Sequence, residues 1–359
     1  MKKLLFISKH MEIGGMERAL LNLLNTLCKR HYKITLILEE KKGPLLEYLD
    51  PDVEVLEYKL SYNKVVFFRK IVNFIHRFCW SIKNKNKYDF SCNFATYSII
   101  GSYLALKASK NNALYIHSNY YEAYEHDIKM YKNFFDNVYA PCFNNLIFVS
   151  NESKNDFCRI YKELVNKCHV INNLIDYKNI QKLAKEKIEI VFEKSFNNFL
   201  FVGRIDNDSK NFVRMLKAFK LVISKNTNNR LYILGEGKDK DLCENLINEY
   251  KLNNNVFLLG KKINPYPFIK KCDAFLLTSN YEGYPVVLTE CLVLNKPMIS
   301  TINVSDTELF AQDYITIVSK KEKLIAKEIL KFKKKKINYN IDFEEINKKR
   351  IEKIISIIE

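Results

Sequence analysis

The feature of this sequence that most restricts its fold is an alternation of short apolar runs with longer amphipathic segments. In the N-terminal half the runs are KLLFIS, KITLILE, VEVLEY, ALYIHS and NLIFVS. Between them lie segments such as MERALLNLLNTLCKR, in which leucines recur at helical spacing. Continuous apolar strands separated by helices are typical of a parallel sheet covered on both faces. The sequence therefore predicts an α/β fold.

This alternation stops in the apolar-poor stretch KLAKEKIEIVFEKSFNN and then begins again. The second set of strand candidates is FLFVG, RLYILG, NVFLLG, DAFLLTS and KPMIST. We therefore predict two doubly wound, Rossmann-like domains, at 1–187 and 188–340, joined near 187–196. An amphipathic C-terminal helix is predicted in 341–359. In such sheets ligands bind beyond the carboxyl ends of the strands, so the residues there are the candidates for function.

The composition narrows the class of protein. A length of 359 residues suggests about two domains. The formal net charge of +17 favours an anionic partner, such as nucleic acid, an acidic membrane surface or a phosphorylated ligand, unless lysine is simply over-used throughout. The nine cysteines include no Cys-x-x-Cys pair, which is against a zinc site or a disulfide framework. The start, MKKLLFISKH, lacks the long apolar run of a signal peptide, so we expect a cytosolic protein.

Two carboxylates mark the stretch TSNYEGYPVVLTECL. Glu282 follows a predicted strand, and Glu290 lies within the apolar helical run that begins at Pro285. The backbone N–H groups of Gly283 and Tyr284 at this helix start suit a phosphate or sugar oxygen. Glu290 can accept two hydrogen bonds from a vicinal diol, such as a ribose. Each acid alone could be a loop charge or the partner of a lysine, but their combination favours a binding site.

Two cations mark the stretch FVGRIDNDSKNF. Arg204 and Lys210 lie on either side of a polar loop that precedes a helix, and such a pair suits a diphosphate. The alternative is two solvated surface cations. Asp206 and Asp208 resemble a paired-aspartate metal motif, but we expect no metal because they lie within a cationic loop.

Two further strand ends carry candidates in the N-terminal half. Gly14 and Gly15 precede a helix, where the backbone can approach an anion closely, although a flexible turn is equally compatible. The Gly-x-Gly-x-x-Gly dinucleotide spacing is missing. His117 ends the run ALYIHS and is either a structural histidine or a polar group that faces a cleft.

The segment 61–87 combines seven Lys/Arg, four Phe and the single Trp of the chain, without any acid. Cations and aromatic side chains together are typical of a helix that lies in a membrane interface. The alternative is an ordinary domain helix whose basic face is solvated.

These motifs together resemble the retaining glycosyltransferases of family 4. TSNYEGYPVVLTEC resembles the family signature of two Glu separated by seven residues, and FVGRIDNDSKNF resembles its Gly-Arg…Lys loop. KHMEIGGMERAL resembles its Gly-Gly-x-Glu turn, and FVSNESKNDF, VINNLID and ILGEGKDKDL resemble its intervening motifs. The similarity covers nearly the whole chain in the expected order. The chain departs from the family pattern at Asn211, which replaces a Gly, at Asn172 and Leu174, which replace a Pro and a Gly, and at Val304-Ser305, where Gly-Gly is common.

The resemblance implies the GT-B architecture: two Rossmann-like domains facing a central cleft, with the C-terminal helix crossing back to the first domain. It implies that the second domain holds a nucleotide-sugar, with Arg204 and Lys210 on the diphosphate. The expected catalytic residues are Glu282, at the sugar hydroxyls, His117, near the transferred sugar, Arg204 and Lys210. The expected donor-binding residues are Gly15, Arg204, Lys210, Gly283, Tyr284 and, at the ribose, Glu290.

The expected function is that of a hexosyltransferase-type retaining enzyme. It would move a sugar from a nucleotide-sugar to a lipid-linked saccharide in the biosynthesis of capsule, O-antigen or related surface polysaccharide. No metal or other cofactor is expected, because the cations can stabilise the leaving diphosphate. The resemblance and the basic segment 61–87 imply a cytoplasmic protein bound peripherally to the anionic inner face of the cytoplasmic membrane.

Two other classes of protein remain as alternatives. A glycoside hydrolase also uses two carboxylates, here Glu282 and Glu290, but it would not explain Arg204 and Lys210. A basic, non-enzymatic nucleic-acid-binding protein would need a recognisable binding module, and none is evident. We therefore expect no nucleic-acid partner.

Overall fold

The computed structural model describes residues 1–60, 66–303 and 314–359. The departure from the family pattern at Val304-Ser305 lies outside these residues, as does the start of the basic segment, 61–65.

The chain forms two compact units. The first consists of Met1–Leu174 together with Glu344–Glu359, and the second of Ile175–Phe343. Each unit is built on one wholly parallel sheet with helices between its strands. The predicted pair of Rossmann-like α/β domains is therefore confirmed.

The first unit contains a seven-stranded sheet. Its strands are β1 (Lys3–Ser8), β2 (Lys33–Leu38), β3 (Glu54–Glu57), β4 (Phe90–Asn93), β5 (Asn112–Ile116), β6 (Asn145–Phe148) and β7 (Cys168–Val170). Its helices are α1 (Gly15–Cys28), α2 (Val66–Asn84), α3 (Ile99–Ala108), α4 (Tyr120–Ala123), α5 (Ile128–Asn137) and α6 (Asn151–Ile160). The strand order is β3-β2-β1-β4-β5-β6-β7.

The second unit contains a six-stranded sheet. Its strands are β8 (Asn197–Val202), β9 (Asn229–Leu234), β10 (Val256–Leu258), β11 (Ala274–Leu277), β12 (Met298–Ser300) and β13 (Ile315–Ile317). Its helices are α7 (Tyr177–Leu183), α8 (Asn207–Lys210), α9 (Phe212–Ile223), α10 (Lys240–Glu249), α11 (Tyr266–Lys271), α12 (Val286–Val293) and α13 (Glu322–Lys331). The strand order is β10-β9-β8-β11-β12-β13, and the last helix of the chain is α14 (Phe343–Ile358).

The strand order places the candidate residues. Chain order reverses at β1 in the first sheet, which lies between β2 and β4, and at β8 in the second, which lies between β9 and β11. Such a switch point opens a crevice beyond the carboxyl ends of the strands. In the second unit the loops after β8 and β11 therefore lie side by side, and these are the loops that carry the two cations and the two carboxylates.

The boundary between the units differs from the predicted one. The first unit ends at Leu174, whereas the sequence predicted residue 187. The difference arises because α7 packs against α11 and α12 of the second unit. The side-chain amide of Asn264 also donates to the carbonyl oxygen of Leu183 at 3.0 Å. The apolar-poor stretch that suggested the boundary begins only at the end of α7.

The C-terminal helix α14 packs within the first unit over residues Glu344–Glu359. Arg350 is almost fully buried, and its Nη1 donates to the carbonyl oxygen of Asn173 at 2.6 Å. The side-chain amide of Asn111 donates to the carbonyl oxygen of Ile357 at 2.8 Å. Within the described ranges, no helix combines the length and apolarity that a membrane crossing needs.

Candidate functional site

The centre of the candidate site is an ion pair between the loops that follow β8 and β11. Lys210 Nζ contacts Glu282 Oε1, and Ser279 Oγ donates to the same carboxylate oxygen at 2.7 Å. The Lys210 and Glu282 side chains are only 18% and 12% exposed. Because β8 and β11 are neighbours in the sheet, residues far apart in sequence meet here. The structure thus brings together one predicted cation and one predicted carboxylate.

The second cation lies at the same strand end. A Cβ placed on Gly203 would lie 3.7 Å from Cε of Lys210, so the lysine side chain passes beside the residue that precedes Arg204. Arg204 is exposed. Among the residues that the structure describes, none accepts a hydrogen bond from its guanidinium. This strand end therefore presents one paired cation and one cation open to solvent.

The loop between β8 and α9, residues 203–211, carries Lys210 and is called the lysine loop below. In this loop Asn211 replaces the glycine of the family pattern. Its backbone is left-handed, with φ 46° and ψ 58°. Asparagine is one of the few residues other than glycine that adopt this conformation routinely. Its side chain also accepts a hydrogen bond from the backbone N–H of Arg214 at 2.9 Å, which caps α9. The substitution thus preserves the turn between α8 and α9.

The two aspartates of the same loop are engaged elsewhere. Asp206 caps α8 by accepting from the backbone N–H of Asp208 at 3.1 Å, and it also accepts from Ser209 Oγ at 3.2 Å. Lys238 Nζ contacts Asp208 and lies 3.7 Å from Asp206, and the hydrogen bond to Asp208 raises the pKa of this lysine. In the described part of the chain, no cluster of three or more His, Cys, Asp or Glu side chains is arranged to hold a metal ion.

Glu290 is a buried carboxylate on α12, with 6% of its surface exposed. The hydroxyl group of Tyr266, at the start of α11, donates to its Oε1 at 3.2 Å. Tyr266 is itself buried. Sequence reasoning missed Tyr266, because nothing in the motif around Glu290 points to a partner 24 residues earlier. The carboxylate is therefore held in place from one side by a neighbouring helix.

The turn before α12 is fixed by packing. Tyr284 is buried, and its hydroxyl oxygen accepts a hydrogen bond from Thr289 Oγ1 at 3.1 Å. Pro285 is the N-cap residue and provides no side-chain cap. The backbone of Gly283 and Tyr284 therefore lies at a helix start that no N-cap side chain covers.

The Gly-Gly turn of the first unit lies beside a buried carboxylate. Helix α1 begins at Gly15, and Gly14 is its N-cap residue. A Cβ on Gly14 would lie 2.2 Å from Oε2 of Glu17, so a larger residue there would require this carboxylate to move away from the helix start. Glu17 is buried, and its Oε1 lies 3.5 Å from Nδ1 of His10. Gly15 itself is exposed.

His117 follows β5 and stacks on aromatic rings. Its ring centroid lies 4.3 Å from that of Phe94 and 4.9 Å from that of Tyr115. Its Nε2 is buried and has no hydrogen-bond partner among the described residues. Burial lowers the pKa of His117 to about 3, against a weaker opposing effect of the hydrogen bond with the Phe94 backbone. The imidazole is therefore neutral near pH 7 and can exchange a hydrogen bond but cannot supply a positive charge.

Helix α2 turns its apolar face to solvent. One set of large side chains on it is at least 40% exposed: Phe67, Phe68, Ile71, Phe74, Ile75, Phe78 and Ile82. At about 100° per residue these positions share one arc of about 120°. On the other side, Trp80 packs edge-on against Tyr58 with ring centroids 6.4 Å apart. Lys70 and Lys83 are exposed on either side of the apolar arc, whereas Arg69 is exposed on the side of Trp80.

Comparison with known proteins identifies the family. Residues 13–179 match the family described as Glycosyltransferase Family 4, and residues 181–350 match the family described as Glycosyl transferases group 1. Both descriptions are of glycosyltransferases, which is against the alternatives of a glycoside hydrolase and a nucleic-acid-binding protein. Together the two matches extend from the Gly-Gly turn into α14.

Individual relatives agree with this assignment. The chain is 33% identical over 197 residues to an uncharacterized glycosyltransferase of Methanocaldococcus jannaschii, a match to 52% of this chain and 47% of that protein. It is 29% identical over 314 residues to an alpha-1,4-N-acetyl-D-galactosaminyltransferase of Campylobacter jejuni, a match to 84% of this chain and 79% of that protein. The matches to two other curated relatives span only 38% and 26% of their length. The chain thus matches less than half the length of three of these relatives.

Solved structures share the fold. TarM of S. aureus, crystallised as a variant with Fondaparinux, alpha-GlcNAc-glycerol and UDP, superimposes with a TM-score of 0.73 at 14% identity. The superposition covers 99% of this chain and 97% of TarM. The resemblance that the sequence motifs suggested is therefore confirmed: the chain belongs to the family 4 glycosyltransferases, with the GT-B architecture.

Proposed function

We propose that this protein is a retaining glycosyltransferase that moves a sugar from a nucleotide-sugar to a lipid-linked saccharide in surface-polysaccharide biosynthesis. The observation that carries the proposal is the Lys210–Glu282 pair at the switch point of the second sheet, beside Arg204. Two relatives support the substrate classes. The name of the C. jejuni enzyme specifies a saccharide on PP-undecaprenol, and TarM was crystallised with UDP.

The diphosphate of the donor is the ligand that fits the two cations. Arg204 can form a bidentate contact with it, and Lys210 supplies a point charge. Lys210 forms an ion pair with Glu282, so a diphosphate would compete with this carboxylate for the lysine. Glu282, once released, would accept hydrogen bonds from the sugar hydroxyls. Both cations would then stabilise the charge that grows on the leaving nucleotide.

The ribose of the donor is the proposed ligand of Glu290. The carboxylate is buried, and one of its oxygens already accepts from Tyr266. Hydrogen bonds to a buried carboxylate are stronger than those in water, because the local dielectric constant is low. The contributions of Gly15 and His117 in the first unit stay predictions from the family resemblance. A neutral His117 would act on the transferred sugar through a hydrogen bond.

A nucleotide screen tests the proposed function. UDP, GDP, ADP and dTDP are added in turn to the purified protein, and thermal unfolding is followed. A nucleotide at about a hundredfold its dissociation constant should add about 2.7 kcal/mol to the free energy of unfolding. We expect one nucleoside diphosphate to stabilise the wild type but not a Lys210→Ala, Arg204→Ala double variant. Stabilisation by none of the four nucleotides would contradict the proposal.

We further propose that α2 holds the protein on an anionic membrane surface. Its apolar arc faces solvent and is flanked by exposed cations, whereas an ordinary domain helix would turn this arc inward. Each cation near an anionic bilayer could add about 1 kcal/mol of binding free energy. The edge-on contact of Trp80 with Tyr58 attaches the opposite side of the helix to its own domain. The family resemblance implies that this membrane surface is the inner face of the cytoplasmic membrane.

Co-sedimentation with liposomes tests the membrane proposal. The triple variant Phe67→Ser, Phe74→Ser, Phe78→Ser should lose binding to phosphatidylglycerol vesicles at low salt. A matched control, Leu242→Ser with Leu324→Ser, removes exposed apolar side chains from the second unit and should bind like the wild type. Equal binding by both variants, or no binding by the wild type, would mean that α2 is not the membrane contact.

A further inference from the structure

We propose that Asn280 is the positioning residue that joins the lysine loop to the Glu282 loop and so sets how Lys210 and Glu282 meet. The inference rests on the proposed roles of these two residues in holding the donor. Nothing in the family motif as it stands in this sequence points to Asn280, and its function follows from its contacts.

Asn280 binds the backbone of the lysine loop at two adjacent residues. Its backbone N–H donates to the carbonyl oxygen of Ser209 at 2.7 Å. Its side-chain amide Nδ2 donates to the carbonyl oxygen of Asp208 at 2.9 Å. Ser209 immediately precedes Lys210, and Asn280 lies two residues before Glu282. The two hydrogen bonds therefore fix the backbone of one loop against the other next to the ion pair.

The remaining polar groups of Asn280 are held as well. Its Oδ1 accepts from Nδ2 of Asn211 at 3.0 Å and from Nη2 of Arg214 at 2.8 Å. Its carbonyl oxygen accepts from Nζ of Lys320 at 2.6 Å. The side-chain amide thus cannot rotate without breaking hydrogen bonds at both of its ends.

Arg214 and Thr278 add hydrogen bonds that connect the lysine loop and the start of α9 to the end of β11. Nη1 of Arg214 donates to the carbonyl oxygen of Thr278 at 2.9 Å. The hydroxyl group of Thr278 lies 3.2 Å from the carbonyl oxygens of both Lys210 and Asn211. The loop after β11 is therefore tied to the residue that carries the cation itself. Asn280 is the member of this network that contacts the most partners.

This arrangement has a consequence for ligand binding. The position of the lysine matters, since about 1 Å of misplacement of a functional group can cost about a hundredfold in rate. Loss of Asn280 should therefore weaken the recognition of the diphosphate. It should leave the contact of Glu290 with the ribose intact, because Glu290 lies on α12 and is held by Tyr266 on α11.

The test compares UDP with UMP on Asn280→Ala by calorimetry. UMP retains the ribose and lacks the second phosphate. We expect UDP affinity to fall about tenfold, the usual scale for losing one charge-assisted contact, while UMP affinity changes little. In a Lys210→Ala background, Asn280→Ala should have no further effect on UDP affinity, because coupled residues are not additive.

Asn255→Ala is the matched control. Its side-chain amide also makes two hydrogen bonds to backbone carbonyl oxygens, those of Thr227 and Asn229, each at 2.9 Å. These lie at the start of β9, at the opposite end of the sheet from the site. This variant should lose stability but keep the UDP-to-UMP affinity ratio of the wild type. The control thus separates a loss of folding from a loss of positioning.

An unchanged UDP-to-UMP ratio in Asn280→Ala would overturn the inference, as would an effect that adds fully to that of Lys210→Ala. If Asn280→Ala does not fold, Arg214→Lys takes its place, since it keeps the charge and removes the hydrogen-bond fork to Thr278 and Asn280. The UDP-to-UMP affinity ratio of Arg214→Lys then tests the inference in the same way. A wild type that binds the nucleoside diphosphate selected by the nucleotide screen no better than the matching monophosphate would instead contradict the proposed function.

Discussion

Replacing Glu282 by Gln should tighten the binding of UDP while it slows transfer. The substitution keeps the size of the side chain and an oxygen that can accept a hydrogen bond from Ser279 Oγ. It removes the negative charge that forms the ion pair with Lys210. A diphosphate then no longer competes with a carboxylate for the lysine. The two effects have opposite signs, which a general loss of folding cannot produce.

The magnitude follows from the burial of the pair. Exposed ion pairs contribute about 0.2–1 kcal/mol, and breaking a fully buried pair costs about 3–5 kcal/mol. The Lys210 and Glu282 side chains are 18% and 12% exposed, so the pair lies between these limits. We therefore expect removal of the pair to strengthen the binding free energy of UDP by about 1–2 kcal/mol, which corresponds to an affinity that is about 5- to 30-fold higher. Loss of the charged acceptor for the sugar hydroxyls costs about 1.5–3 kcal/mol in transfer, at least about tenfold in kcat.

Calorimetry of UDP binding and a kcat measurement at saturating donor provide the assay. Asp208→Asn is the control, because it removes an acid from the same loop that pairs with Lys238 instead of Lys210. It should change UDP affinity little. UDP binding to Glu282→Gln that is unchanged or weaker, or equal tightening in Asp208→Asn, would refute the competition between carboxylate and diphosphate.

Three further predictions follow from the site. Glu290→Ala should weaken UDP binding by about 1.5–3 kcal/mol, and Tyr266→Phe by less; unchanged UDP affinity in both variants would contradict the assignment of the ribose to Glu290. Burial lowers the pKa of His117 from 6.5 to about 3, so as the pH falls the unfolded state takes up the proton before the folded state does. This histidine should therefore lower the free energy of unfolding by about 1.4 kcal/mol per pH unit between about pH 6.5 and pH 3. Urea unfolding between these pH values should show a shallower slope for His117→Gln, and the same slope as the wild type would mean that the histidine is not buried as described. Addition of EDTA should leave turnover nearly unchanged, and loss of turnover that manganese restores would mean that Asp206 and Asp208 bind a metal.

The sequence predicted the sheets where the strands are long and continuously apolar. Strands β1 and β8 are of this kind, and their central residues are buried. Strand β4, which lies beside β1 at the switch point, was not predicted from the sequence. This strand has only four residues, and two of them are the polar Ser91 and Asn93. Buried hydrogen bonds stabilise them: Ser91 Oγ to the carbonyl oxygen of Ala105 at 2.6 Å, and Asn93 Nδ2 to Ser102 Oγ at 2.9 Å.

Strands β7 and β13 were missed for a related reason. Each has only three residues and lies at an edge of its sheet. So short a segment carries no periodicity of its own, and its pairing with one neighbouring strand decides that it is a strand. Tertiary context, which the sequence pattern does not contain, places these elements.

In the candidate site, likewise, the sequence motifs identified residues but not the contacts between them. The motifs identified Lys210 and Glu282 separately and assigned them to different parts of the donor. Their pairing across 72 residues depends on β8 and β11 being neighbours, which the motifs do not state. Asn280 lies within the stretch TSNYEGYPVVLTECL but is not one of the residues to which that motif gives a role, and Tyr266 lies outside the motifs. Their roles arise only from contacts between loops and helices. The Gly-Gly-x-Glu turn, in contrast, is a local contact between residues of one motif, since the Glu17 carboxylate lies in the space beside Gly14.

The most direct test of the proposed function is the release of nucleoside diphosphate from nucleotide-sugars in the presence of undecaprenyl-diphosphate-linked saccharides. UDP-glucose, UDP-galactose and their N-acetylated forms are the first donors to assay. We expect the release of nucleoside diphosphate to depend on the acceptor and to be almost completely lost in Lys210→Ala. An α-linked donor should give an α-linked product. Donor cleavage at the same rate without an acceptor, or Lys210→Ala with the kcat of the wild type, would contradict a transferase that uses the Lys210–Glu282 site.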